Sequence, residues 1–313
     1  MNCIIGIDLG GTIVKIGLVS DGKVLAGTRV QANSISGLRR MLGPIGEAAD
    51  SLLAQNGISK SSISGVAMAF PGIVDFPARR AALTNAKYDD APSVDVEEWA
   101  AQRYDAPFIM DNDARMAMIG EWTSGAGKGV ENMVMMTIGT GIGTGVVIDS
   151  RPLYGRNGCA GSLGGHMIVD YRGRRCTCGN IGCVEAHGSS FFLPRIIEEN
   201  LSLQESFRNN PSNRSFKVLF DKYRQNNPDA VNVVNGCMDV WAAAIVNYIH
   251  AYDPEKIVLG GGIMKSSDII LPYIREKVGS LAWCPGEKPE IVSSILGDDA
   301  ALIGSEYYFN QGV

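Results

Sequence analysis

His166, Cys176, Cys178 and Cys183 are the residues whose types and spacing name a chemistry most directly. Three thiolates and one imidazole complete a tetrahedral zinc set and leave no position open for a substrate. Gly179 and Gly182 let the short loop fold back so that Cys178 and Cys183 face one ion. A structural zinc is therefore preferred to a catalytic one; unpaired reactive cysteines or a redox pair are the weaker alternatives. Glu185 follows Cys183 by two residues. A metal would hold it and His166 rigidly, ready to grip a ligand.

A second candidate is the turn Asp8-Leu9-Gly10-Gly11-Thr12, set between two apolar runs, 3–7 and 13–19. Two strands joined by a glycine turn are expected. Gly10 and Gly11 let backbone N–H groups approach phosphate oxygens, and Thr12 adds a hydroxyl, with Lys15 just beyond. Asp8 at the strand end suits a hydrated magnesium ion. A plain hairpin turn accounts for the same residues equally well. The pattern recurs at Ile138-Gly139-Thr140-Gly141-Ile142-Gly143, again between strand-like runs. With Gly10 laid over Gly139, Asp8 falls on Thr137. An internal repeat of domain length predicts two related halves facing each other across a cleft, each giving a glycine loop to one polyphosphate. A third turn, Gly260-Gly261-Gly262, either admits a flat base such as adenine against bare backbone or simply joins a strand to a helix.

Asp113 lies where a strand over 107–110 runs into a helix. A carboxylate there is either a helix cap or a general base aimed into a cleft, with Asn112 beside it as donor or acceptor. Pro71-Gly72 ends a buried strand over 63–70 and can present backbone to a ligand; Asn85 lies in a polar loop.

The elements that must position these residues follow from periodicity. Helices are predicted over 37–56, 94–104, to about 123, 189–201, 216–224, 229–252, 267–280 and 300–309. Pro44 should kink or split the first of them. The long apolar helix 229–252 is placed against a sheet. Residues 202–215 read as a mobile surface loop. The glycine-rich run 125–129 is the candidate domain boundary. Residues 1–124 with 300–313 are expected to form a smaller N-terminal α/β domain, and 125–299 a larger C-terminal one that carries the zinc loop.

Bulk properties bound the rest. A net charge of −5, with 45% hydrophobic and 19% charged residues, fits a globular protein and gives no reason for nucleic acid or an anionic membrane as partner. Seven cysteines, three of them at metal spacing, favour a reducing compartment over a disulfide framework. With no apolar run of spanning length and no basic leader ahead of the first strand, a cytoplasmic protein is expected.

These motifs, in order, resemble the ROK family of sugar kinases and repressors. They are Asp8-Leu9-Gly10-Gly11-Thr12, Phe70-Pro71-Gly72, Asn112-Asp113-Ala114, the 138–143 turn, Gly165-His166, Cys176-x-Cys178-Gly179-x-x-Gly182-Cys183-x-Glu185 and Leu259-Gly260-Gly261-Gly262. The resemblance implies an α/β chain of two ribonuclease-H-like (actin-like ATPase) domains flanking a hinged cleft. It also implies ATP- and magnesium-dependent phosphorylation of a hexose or N-acylhexosamine, commonly at the C6 hydroxyl, by dimers or tetramers. Asp113 would be the general base. Gly72, Asn85, Asn112, Asp113, His166 and Glu185 would face the sugar. Asp8, Gly10, Gly11, Thr12, Lys15, Gly139, Thr140 and Gly141 would surround the phosphates and magnesium, and Gly261 and Gly262 the adenosine.

One departure stands out. The family usually has Ala-Gly-Glu-x-Gly-His, and here the run is Ala160-Gly161-Ser162-Leu163-Gly164-Gly165-His166. A hydroxyl is no substitute for a bidentate carboxylate. Either Ser162 or a neighbour takes over, or the sugar differs where that Glu would read it. A sugar-sensing regulator of the same family, or a sugar-binding protein without activity, is the alternative. The regulators carry a helix-turn-helix ahead of the first strand, and a strand beginning at Cys3 leaves no room for one.

Overall fold

The structure, a computed structural model, describes residues 3–310. Contacts divide the chain into two compact units. One comprises Met1–Gly129, Arg151–Ser162 and Asp298–Val313; the other comprises Val130–Ser150 and Leu163–Gly297. The chain thus returns to the first unit over 151–162, an excursion that no composition shift announces.

The first unit is built on a five-stranded sheet in the order Lys23–Gln31, Ile13–Ser20, Cys3–Leu9, Ile63–Phe70, Phe108–Asn112. Cys3–Leu9 and Ile13–Ser20 are antiparallel, with Asp8 opposite Lys15. Ile63–Phe70 lies parallel to both Cys3–Leu9 and Phe108–Asn112. Ile5, Ile7, Val14, Ile16, Val66, Met68 and Phe108 bury one face against helix Leu38–Gln55. That helix runs through Pro44 unbroken. A single proline removes one backbone donor, and the buried Met41, Leu42, Ile45 and Ala49 on either side outweigh it.

Helix Asp113–Ser124 packs against helix Ala300–Gly304 at two glycines. A Cβ at Gly120 would lie 2.0 Å from the Ala300 carbonyl oxygen, and one at Gly304 1.9 Å from that of Met116. Only hydrogen fits, so the backbones touch.

The second unit repeats the plan. Its strands run Ile142–Ile148, Met133–Ile138, Lys256–Gly260, Glu290–Ser293. The first two are antiparallel across a glycine turn; the last two are parallel additions. Two sheets of matching strand direction around matching turns are what a duplicated ribonuclease-H-like half produces, and the expected α/β fold is present.

Helix Pro228–Tyr252 is, among the described residues, the one helix long and apolar enough to cross a membrane. Trp241, Ala244, Ile245 and Tyr248 on it are fully buried against protein. It is a core helix, as its pattern predicts. Residues 202–215, predicted to be a mobile loop, instead hold a helical turn at Glu205–Arg208 and a 3-10 turn at Pro211–Asn213. Phe207 and Asn213 are buried there, and the Asn213 amide donates to the Phe207 carbonyl at 2.8 Å. A polar composition concealed one aromatic anchor.

The first unit also carries a fully buried ion pair, Arg115 Nη1 to Asp111 Oδ1 at 2.6 Å. The other Asp111 oxygen accepts the hydroxyls of Tyr154 (2.9 Å) and Tyr308 (2.7 Å). Arg115 Nη2 donates to the carbonyls of Gly158 and Ala160. Removing one charge strands the other away from water, at about 3–5 kcal/mol. Asp111→Asn is therefore expected to lower stability by that amount in urea unfolding. The apolar pair Asp111→Leu with Arg115→Met should cost less than the single change; equal or greater loss from the pair would contradict the account.

Candidate functional site

Each unit carries its own set of functional groups. In the first, strand Phe108–Asn112 ends at Asn112, whose Oδ1 accepts the Arg115 N–H at 3.1 Å. Asn112 is thus the helix cap, and that duty does not fall on Asp113. The Asn112 amide also donates to the Gly72 carbonyl (3.1 Å) and to Asp113 Oδ1 (3.1 Å). Asp113 Oδ1 accepts the Ala114 N–H at 2.8 Å. Both ends of the Asn112 amide are committed, so its visible action is to orient Asp113. Gly72 is required where it stands: a Cβ there would lie 2.5 Å from the Leu83 carbonyl oxygen.

The Asp113 carboxyl is pushed up to about 6, first by burial and then by the charge of Asp8; the Ala114 N–H and Lys87 oppose the rise. A carboxylate held near neutrality is suited to accept a proton. Asp8 is also raised, by burial first, with Lys15 opposing. Lys15 Nζ lies 3.2 Å from Asp8 Oδ2, 3.7 Å from Asp298 Oδ1 and 3.1 Å from the Asp298 carbonyl oxygen.

The turn between the first two strands is tied from behind. The Gly10 carbonyl accepts the Tyr88 hydroxyl (2.8 Å), that of Gly11 accepts Ser34 Oγ (3.2 Å), and that of Thr12 accepts the Gln31 amide (2.9 Å). The N–H groups of Gly11 and Thr12 donate to nothing among the described residues. Carbonyls bound behind and free N–H groups in front make an anion cradle. Of the other expected residues in this unit, Asn85 lies on an exposed loop. Ser162 is buried, its hydroxyl donating to the Cys159 carbonyl at 3.1 Å.

In the second unit, one ligand atom each from His166, Cys176, Cys178 and Cys183 lies within 4.8 Å of all the others. A tetrahedral ion with Zn–S of about 2.3 Å and Zn–N of about 2.05 Å sets S···S near 3.8 Å and S···N near 3.6 Å. The Cys178 and Cys183 sulfurs are 3.7 Å apart, and Cys176 Sγ is 3.6 Å from His166 Nδ1. The four groups thus fit a zinc ion. His166 presents Nδ1 to the thiols, which leaves Nε2 on the opposite edge of the ring.

Glu185 is built into the same corner. Its Oε2 accepts the Ile142 N–H at 3.0 Å, just after the 139–141 turn. A Cβ on Gly141 would lie 2.5 Å from that oxygen. The turn is held in place by the Ser190 N–H on the Gly139 carbonyl (2.9 Å) and the Phe191 N–H on the Thr140 carbonyl (3.1 Å). At the third turn Gly261 has φ +91° and no room for a Cβ, which would meet the Ile138 carbonyl oxygen at 2.2 Å; Gly262 faces open space.

A family model for ROK matches residues 4–311. The chain belongs to the ROK family. It is 33% identical to a glucokinase of Thermotoga maritima, over 96% of this chain and 95% of that one. It is 28% identical to an N-acetylmannosamine kinase of Haemophilus influenzae, over 98% and 95%. In structure it is similar, with a TM-score of 0.82 at 24% identity, to a ROK family glucokinase from Streptomyces griseus in complex with glucose and AMPPNP. That match covers 99% of this chain and 100% of the other, and at that identity it shows the fold alone. The fold of this ROK chain is therefore that of the actin-like/hexokinase sugar kinases.

Sequence reasoning passed over one group in the first unit. Lys87 lies across Gly11, its Cε 3.1 Å from the position a Gly11 Cβ would take. No motif marks it.

The metal reading has its own test. Purified from zinc-supplemented cells, the protein is expected to carry about one zinc per chain by atomic emission. Cys183→Ala should lose it, with melting about 3–5 °C lower, the equivalent of 2–3 kcal/mol in a chain of this size. A metal-free wild type that melts like the variant would contradict the fit.

Proposed function

We propose that this ATP-dependent sugar kinase phosphorylates a hexose or N-acylhexosamine at its primary C6 hydroxyl, with Asp113 as general base. The observation that carries the assignment is the pairing in one unit of a near-neutral buried carboxylate with an anion cradle. Asp113 is raised to about 6 and faces the charge of Asp8, which lies at the root of the Gly10–Thr12 turn. A base that remains deprotonated at neutral pH but has been lifted towards it is well matched to a hydroxyl proton.

In this reading Asp113 takes the proton as the sugar oxygen attacks the terminal phosphorus of ATP, and ADP leaves. The Gly11 and Thr12 N–H groups, with Thr140 and Gly141 of the second turn, receive phosphate oxygens. Asp8 would hold magnesium, which would neutralise phosphate charge when bound; Lys15 opposes the rise that burial gives the Asp8 carboxyl. Gly261 and Gly262 lie against the adenosine. Glu185 and His166 Nε2 read sugar hydroxyls, with Gly72 and Asn85, and zinc braces the loop that carries them. Phosphoryl transfer rests mainly on this kind of positioning and charge neutralisation.

Ser162 narrows the acceptor. Its hydroxyl already donates to its own loop, so it offers lone pairs only. A carboxylate reading two hydroxyls has no equivalent here, which favours a sugar altered at the position that carboxylate would read. The N-acetylmannosamine kinase relative supports including acylated hexosamines in the panel.

ADP release with magnesium-ATP and a panel of hexoses and N-acylhexosamines is the test. Sugar-dependent release is expected, falling about 10²–10⁴-fold in Asp113→Asn. The same variant should be more stable than wild type at neutral pH, because a buried carboxylate with a raised pKa opposes folding once it ionises. The sign sets the rate profile too. Below about pH 6 Asp113 is protonated, so kcat/KM should fall tenfold per unit there and level off above. Sugar binding without ADP release would favour a regulator; full activity in Asp113→Asn would remove the base.

A further inference from the structure

The first unit contains two lysines near the phosphate turn, and only one of them is neutralised. Lys15 is paired with Asp8 and Asp298. Lys87 makes no ion pair and no hydrogen bond among the described residues, although it is half-buried. Its stem crosses the turn, with Cδ and Nζ each 3.5 Å and Cε 3.1 Å from the Gly11 Cβ position.

The loop that delivers it is held tightly. Ala86 (φ 55°) and Tyr88 (φ 53°), on either side of Lys87, both have left-handed backbone conformations. For residues other than glycine such a conformation is strained and persists only where surrounding contacts enforce it. Those contacts are present. Tyr88 is fully buried, with its hydroxyl on the Gly10 carbonyl at 2.8 Å and its N–H on the Ser34 carbonyl at 2.8 Å. Thr84 Oγ1 donates to Asp89 at 2.8 Å across the base of the loop. Asp90 accepts the N–H groups of Leu38 and Arg39 at the start of the first helix. A free surface lysine needs none of this. The loop fixes a cation over the same turn whose front N–H groups are unpartnered, on the side from which it acts on Asp113.

We propose that Lys87 is a catalytic cation that contacts the phosphoryl group in transit between ATP and the sugar hydroxyl. The inference rests on the kinase reading above. As the new bond from the sugar oxygen to phosphorus forms, the bond to the bridging oxygen breaks and its electron pair leaves with ADP. The hydroxyl proton goes to Asp113. Negative charge on the three oxygens of the moving group is greatest midway, and there the Lys87 ammonium has its largest effect. Lys87 exchanges no proton and remains charged throughout. A second consequence is electrostatic: the same ammonium favours the ionised form of Asp113 while Asp8 disfavours it, so one lysine serves both the base and the migrating group.

Lys87→Met and Lys87→Arg separate this from a structural role. In Lys87→Met, kcat should fall about 10³-fold, the low end of what a transition-state cation contributes in phosphoryl transfer. KM for the sugar should stay within about threefold. The acid limb of kcat/KM should move to higher pH, because an unopposed Asp8 then acts on Asp113. Lys87→Arg should restore most of kcat and return the limb. Magnesium-ADP with aluminium fluoride and sugar, a mimic of the moving group, should lose more affinity in Lys87→Met than AMPPNP does. A folded Lys87→Met with kcat within threefold of wild type and an unmoved acid limb overturns the proposal while leaving the kinase reading intact. Should Lys87→Met not fold, Lys87→Arg decides by itself: kcat near wild type with the limb in place supports the cation, and a fall as large as that of Asp113→Asn with normal melting overturns it. A wild type that releases no ADP with any sugar removes both readings together.

Discussion

The first unit depends on a charge that it cannot expose. Asp111 and Arg115 are both fully buried, and each is acceptable there only because the other is present. Their positions, four residues apart, span the junction between strand Phe108–Asn112 and helix Asp113–Ser124. The pair therefore fixes the angle at which the helix leaves the sheet. Its remaining bonds go to Tyr154, Gly158, Ala160 and Tyr308, so it also gathers the returning segment and the C-terminal helices. Asn112 and Asp113 sit between the two charged partners in sequence, and their placement follows from that constraint. Three consecutive polar residues thus divide the work: Asp111 holds the junction, Asn112 caps the helix and orients its neighbour, and Asp113 is left with a carboxylate whose Oδ2 carries no hydrogen bond among the described residues.

Keeping Asp113 both buried and ionisable is a matter of balance. Burial lifts the carboxyl, and Asp8 adds to that lift. Helix N-terminal N–H groups and a nearby cation pull the other way. The outcome, about 6, reflects these opposing influences, with burial the largest. At Asp8 burial prevails, opposed by Lys15 across the strand pair. Because strand register sets Asp8 opposite Lys15, sheet geometry itself supplies the counter-charge.

Much of this was legible in the sequence because motif residues are constrained locally. Glycine turns, the cysteine spacing and the strand-to-helix carboxylate each announce themselves within a dozen residues, and the repeat of Gly10 at Gly139 foretold two sheets of one plan. What stayed hidden depends on distant partners. Lys23–Gln31 is an edge strand whose alternate residues are exposed, so its apolar positions are too sparse to read. The 151–162 return is anchored through the backbone carbonyls of Gly158 and Ala160 and a single side chain, Tyr154, too little to mark it in the sequence. Lys87 has no motif because its significance lies in a neighbour 76 positions away, Gly11, and in a loop conformation that Ala86 and Tyr88 would not adopt unaided. Asp113 as cap or base was undecidable from sequence, since both readings need a carboxylate at the same position. The geometry gives the cap to Asn112.

The repeated plan also shows where the two halves differ. Both turns join antiparallel strands, and both keep backbone N–H groups in front. In the first, the residue at the strand end is Asp8, facing Lys15 in the next strand. In the second it is Thr137, opposite Gly143, with its hydroxyl on the Gly143 carbonyl at 3.3 Å. The first turn therefore lies beside an aspartate–lysine pair, and the second beside a single carboxylate, that of Glu185. The second turn is steadied instead by Glu185, through the Ile142 N–H, and Glu185 belongs to the helix that begins at the last thiol of the metal cluster. Glu185 is thus fixed from two sides, by the backbone at the turn and by its place two residues after Cys183.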